Sequence, residues 1–148
     1  MTRNAAALLL LAALAGCGRE VSPEDEVRAV VAAAEQAAEA RDASALLDLV
    51  ADDYRDGRGN GAAEIRRYAR GYLIAHQSIR LLVRIDRLEL VARDLARLEA
   101  TVGMLGREAE AAAAWDLAAD VYEFDVTLAR EDGDWRVTRA DWRPALGR

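Results

Sequence analysis

The apolar residues of this chain change their spacing once, after Gln77, and that change restricts the fold more than any other feature. Before it, Val27, Val30, Val31, Ala34, Ala37 and Ala38 recur three and four apart, which describes one buried face on a helix of about 24–41. Ser22-Pro23-Glu24-Asp25 reads as its start: Ser caps, Pro suits the first turn, and the acids complement the positive end of the helix dipole. Leu46, Leu47, Leu49 and Val50 predict a second helix over about 43–51. Gly57, Gly59 and Gly61 then interrupt the chain. A third helix, about 62–75, carries Ile65, Tyr68, Ala69, Tyr72 and Leu73. After Gln77, Ile79, Leu81, Val83 and Ile85 alternate with mostly polar residues, as in a strand. Leu98, Ala100, Val102 and Met104 predict the next strand, and Tyr122, Phe124, Val126 and Leu128 a third. Trp135 and Val137 continue the apolar face on a fourth. Helices followed by an antiparallel meander make the fold class α+β.

Asp132-Gly133 is a tight hairpin signal. A two-residue turn there sets Leu128 against Val137, Val126 against Arg139, and Phe124 against Asp141. On that register Arg139 and Asp141 share the apolar, concave face with Tyr122 and Phe124. They are then either an ion pair at the open end of the sheet or a polar floor to a ligand pocket. Val121 and Trp142 point to the outer face and become candidates for an interface, including a homodimer through the sheet. Glu108–Ala119 is long for a hairpin loop and suits a short helix carrying Trp115, either as a lid or as the side chain that packs the segment.

The N-terminus supplies an address. Arg3 is followed by an uninterrupted apolar run over 5–15, the layout of a signal peptide. The run is shorter than the roughly 20 residues a membrane-spanning helix needs. Leu14-Ala15-Gly16-Cys17 closely resembles the lipobox of bacterial lipoproteins. The resemblance implies cleavage before Cys17, a lipid on its thiol and an acylated new N-terminus. Residues 1–16 are then signal peptide, 17–23 the lipidated cysteine and a short tether, and 24–148 the domain. Cys17 is the chain's one cysteine, so no intramolecular disulfide is available, and with His76 as the sole histidine a Cys–His nucleophile has little support. Gly18, rather than Asp, follows the cysteine, which in enterobacterial lipoproteins accords with the outer membrane, facing the periplasm; the inner membrane is the alternative.

The mature chain would hold 19 arginines against 26 acids, a formal charge of −7, and no lysine. An acidic domain is poorly suited to nucleic acid, where phosphate contacts need clustered positive charge. Zinc needs three or four close ligands, and the pattern offers none; no cofactor is expected.

The order helix, helix, Ala51-Asp52-Asp53-Tyr54, helix, then strands closing on Leu128 to Trp142 resembles the nuclear transport factor 2-like, or cystatin-like, fold. The resemblance implies a strongly curved antiparallel sheet that wraps a long helix into a cone with a pocket. Tyr54, Tyr68, Tyr72, Trp115, Tyr122, Phe124, Arg139 and Asp141 are the candidate pocket residues. The primary expectation is a non-catalytic, lipid-anchored periplasmic domain that binds a small apolar ligand or an envelope protein. Relatives such as ketosteroid isomerases and polyketide cyclases imply an alternative, with Asp56 as the base. That chemistry also needs an oxyanion hole made from a Tyr and a protonated acid in an apolar site. The first helix offers Val, Ala and Glu35 where the Tyr is expected, and Asp125 alternates away from the pocket face. Without the donor pair, Asp56 is expected to be a solvated acid in a Gly-rich loop.

Overall fold

The computed structural model describes residues 20–105 and 118–145. Three helices precede four strands: α1 (Pro23–Glu39), α2 (Ala43–Asp48), α3 (Ala62–Ala75), β1 (Leu81–Ala92), β2 (Leu95–Leu105), β3 (Ala118–Glu131) and β4 (Asp134–Pro144). The strands form one antiparallel sheet in the order β1-β2-β3-β4, the expected meander. Ser22 caps α1, its hydroxyl accepting from the Asp25 amide at 3.2 Å. Asp42 caps α2 by accepting from the Ala45 amide at 3.0 Å. At the start of α3, the Glu64 carboxylate accepts from the Gly61 amide at 3.0 Å.

The second helix is shorter than its apolar pattern predicts because the sheet competes for its last residues. The Val137 amide donates to the Leu49 carbonyl at 2.8 Å, and the Ala51 amide to the Val137 carbonyl at 3.0 Å. Four residues on, the Arg55 amide donates to the Thr138 carbonyl, also at 3.0 Å. Leu49 to Arg55 thus runs along the outer edge of β4, and Val50 pairs in parallel with Val137. Tyr54, only 1 % exposed, locks the strip by donating its hydroxyl to the Ala140 carbonyl at 3.0 Å.

Of the four register slips in the sheet, two decide which side chains face inward. The pairing of β1 with β2 shifts between Ile85 and Arg87, so the inward residues run Val83, Ile85, Leu88, Leu90. The pairing of β3 with β4 shifts at Thr138: Leu128 faces Val137, but Thr127 faces Arg139. An extra residue in one strand bends it and increases its twist. The turn itself is as expected, with Asp132 at φ 51° and Gly133 at φ 93°, the two positive values of a type I′ hairpin. The register therefore holds only for the four pairs next to the turn. Beyond it, Phe124 opposes Trp142, Val126 opposes Ala140, and Asp125 opposes Asp141.

That slip reverses three expected positions. Arg139 and Asp141 leave the concave face, and Trp142 joins it. The local sequence carries no sign of the bulge; it goes with the pairing of β4 to the Leu49–Arg55 strip.

The core closes one end of the molecule. Val27 of α1, Ala96 and Leu98 of β2, Leu128 of β3 and Trp135 of β4 form a buried cluster. The Trp135 indole, 5 % exposed, donates to the Glu26 carboxylate at 2.8 Å. Glu26 also pairs with Arg130, whose guanidinium lies over the Trp135 ring. A buried indole N–H needs such a partner.

Candidate functional site

Toward the other end the side chains of the three helices and four strands stop meeting. They border a partly open cavity of about 480 Å³. Its wall is mostly aliphatic and aromatic, with Val30, Val31 and Ala34 from α1, Ile65 and Ala69 from α3, and Val83, Ala100, Val102 and Val126 from the sheet. Inward alternation on β1 to β4 and the helical stripes on α1 and α3 produce this lining directly. Its volume is that of a site for a small organic molecule.

Tyr54, Tyr68, Tyr72, Tyr122 and Phe124 all line the cavity, where the sequence places them. Trp142, expected on the outer face, lines it as well, its ring 6.1 Å from that of Phe124 and 5.9 Å from that of Tyr68. Val121 lies on the opposite face from Tyr122, paired with Gly103. That outer face carries ion pairs, among them Arg84–Asp86 and Arg143–Glu123.

Arg139 and Asp141 do not line the cavity. Their carboxylate–guanidinium contact, at 2.7 Å, stands beside the loop after α2, and Asp141 accepts from the Gly57 amide at 2.7 Å. A Cβ at Gly57 would come within 2.8 Å of the Arg139 guanidinium and 2.9 Å of the Asp141 carboxylate. The pair therefore holds a loop against β4 and needs glycine there.

Asp56 is likewise taken by the loop. It is not solvated, being 6 % exposed. One carboxylate oxygen accepts from the Arg58 and Asn60 amides, at 2.9 and 2.8 Å, and the other from the Asn60 side-chain amide at 2.8 Å. These hydrogen bonds, that of the Asn60 side chain foremost, hold its pKa below the usual 3.8. A base for proton abstraction needs the opposite shift and an oxygen facing the substrate. Asp56 is outside the cavity lining and has neither.

The polar groups that do face the cavity gather away from the core. Tyr72 stacks on His76 at 4.0 Å and donates its hydroxyl to the Met104 sulfur at 2.7 Å. Burial raises its pKa, with Tyr122, Tyr68 and Asp120 adding to the effect. His76, expected to end its helix, sits just past α3, its Nδ1 2.8 Å from the Tyr72 carbonyl. Glu35 of α1 also lines the cavity; burial raises its pKa above 4.5, and Glu39 adds repulsion. Sequence reasoning passed over Glu35 as a site residue. The signal was available: it falls four residues after Val31 and three before Ala38, inside the apolar stripe.

Cys17 and Trp115 lie outside the described residues. Among the described residues, no group of three or more His, Cys, Asp or Glu side chains is placed to hold a metal ion, and no helix is long and apolar enough to cross a membrane.

No protein-family model and no curated protein sequence matches this chain. Solved structures do match. A protein from Thiobacillus denitrificans provisionally named a calcium/calmodulin-dependent protein kinase type II association domain superposes with a TM-score of 0.67 at 20% identity, covering 84% of this chain and 96% of its own. A provisionally named dehydratase of the nuclear transport factor 2-like family from Streptomyces avermitilis gives 0.66 at 14% identity, covering 83% and 96%. A domain of unknown function with a cystatin-like fold from Nostoc punctiforme gives 0.65 at 14% identity, covering 82% and 76%. At these identities the likeness is one of fold, and the fold is nuclear transport factor 2-like, or cystatin-like, as the order of elements implied.

Proposed function

We propose that this chain is a lipid-anchored, periplasm-facing binding domain whose cavity holds a small apolar molecule. The observation that carries the reading is the 480 Å³ cavity lined by aliphatic and aromatic side chains with a few polar groups at one side. That composition suits binding by burial of apolar surface, with orientation set by few hydrogen bonds. The lipobox-like Leu14-Ala15-Gly16-Cys17 supports the address. Two or more acyl chains on the N-terminal cysteine would hold the domain stably at a membrane. Proton abstraction by Asp56 is disfavoured because the loop consumes that carboxylate.

The binding reading is tested by native mass spectrometry of the chain extracted from its host, alongside Ala100→Phe, which fills the cavity from β2. A small molecule should travel with the wild-type protein and be absent from the variant, with melting curves of both cooperative. If neither carries one, and no apolar probe shifts the methyl resonances of Val102 and Val126, the cavity is not a binding site. The address is tested by Cys17→Ser, which should stop lipidation and maturation; a processed, acylated variant in the outer-membrane fraction overturns it.

A further inference from the structure

This inference deepens the binding reading and rests on it: the cavity is built to select the charge of its ligand. The chain carries 20 basic residues, all arginine, yet none lines the cavity among the described residues. The charged groups that do line it are Glu35 and Asp120. His76, Tyr72 and Tyr122 complete its polar side.

Among the half-buried carboxylates of the described residues, Glu35 and Glu131 lack a hydrogen-bond or ion-pair partner, and of these two Glu35 lines the cavity. Glu26 is held by Arg130 and the Trp135 indole. Asp56 is held by loop amides, and Asp141 by Arg139 and the Gly57 amide. Glu39, one turn from Glu35, accepts from the Leu81 amide at 2.9 Å. Glu35, half-buried, makes no hydrogen bond or ion pair with another described residue. It sits in an apolar stripe, over an apolar cavity, at a place where a carboxylate costs stability and gains nothing from the fold. A partner that enters with a ligand would offset that cost.

We propose that the cavity binds an apolar molecule bearing an amine, whose ammonium group donates to the Glu35 carboxylate while its hydrocarbon part fills the space between α3 and the sheet. Asp120, paired with Met104 across the sheet, adds a second negative charge to the lining. A carboxylate-bearing molecule of equal size meets repulsion from both groups and no arginine. A neutral alcohol is accommodated without the charge-assisted bond. The cavity is thus a filter by sign of charge among molecules of one shape.

The test uses three soluble probes of one skeleton: 4-phenylbutylamine, 4-phenylbutanol and 4-phenylbutanoate. Each is titrated into the full chain in phosphatidylcholine nanodiscs, with empty nanodiscs subtracted, and Kd is read by calorimetry. The amine is expected to bind at least about tenfold tighter than the carboxylate, the order of one charge-assisted hydrogen bond. Glu35→Gln should remove the amine's advantage, read as the ratio of the amine and carboxylate Kd values falling to about one; Glu35→Ala provides the same reading should the amide variant fold poorly. A carboxylate that binds as tightly as the amine, or an amine preference that survives Glu35→Gln, overturns the charge filter and leaves the binding site. Binding by none of the three overturns both.

Discussion

Two glutamates of helix α1, Glu26 and Glu35, have opposite fates. Glu26 and Glu35 are nine residues apart, about 13 Å along the axis. At the first, the fold closes: Val27 and Leu128 are 0 % and 1 % exposed, and the carboxylate is shared by an arginine and an indole. At the second, the fold opens into a cavity, and the carboxylate is left without a described partner. The same residue type on the same helix has an arginine and an indole on its carboxylate at one end and no described partner at the other. Close packing collects at the closed end, and the cavity at the open end.

Trp135→Ala attacks the closed end and should have the largest effect, about 3–5 kcal/mol in denaturant melts, because it leaves a large void and strips Glu26 of one donor. A loss below about 1 kcal/mol would mean the two ends do not differ in packing.

Tyr54→Phe should cost about 1 kcal/mol, the worth of its buried hydrogen bond to Ala140. Burial and the neighbouring Asp56 push the Tyr54 phenol up to about 12. The folded state therefore keeps its proton between pH 10 and 12 while the unfolded chain releases it, and stability falls as pH rises through that window. A spectrophotometric titration should show one of the four tyrosines ionising last, near 12; all four ionising near 10 would contradict the packing around Tyr54.

A smaller effect is expected at Asp56. Its lowered pKa means that the stability it contributes is full above 3.8 and is lost as pH falls below it. Asp56→Asn should flatten the acid limb of the stability profile, and an unchanged limb would place Asp56 in solvent after all.

The smallest effect has the opposite sign. Glu35 has its pKa raised on folding, so its charged form costs stability once pH exceeds the ordinary 4.5. Glu35→Gln should raise the melting temperature slightly at neutral pH, with the gain disappearing on acidification below that value. A lowered melting temperature would make Glu26 and Glu35 equivalent.

The two ends also differ in how far sequence could describe them. Val27, Leu128 and Trp135 follow from period and turn chemistry, because helices, alternation and the type I′ hairpin are local. The open end depends on contacts between distant segments. Thr138 becomes a bulge where Leu49–Arg55 pairs with β4, and a slip of one residue moves every later side chain to the other face. Arg139, Asp141 and Trp142 were misplaced for that single reason. Asp56 looked like a loop acid because nothing in Gly57-Arg58-Gly59-Asn60 announces that three donors turn back onto it.

The strip from Leu49 to Arg55 has a further consequence for the edges of the sheet. A sheet of four strands ends in two rows of unpaired amides and carbonyls, each a template for a neighbour's strand. The β4 rim is already occupied along its inner half by the chain's own backbone. The β1 rim is protected differently, by a bulge at Asp86 and a succession of charges at Arg84, Asp86, Arg87 and Glu89. One rim is covered in part by the chain's own backbone and the other carries a bulge and charges, two devices that oppose edge-to-edge pairing between copies.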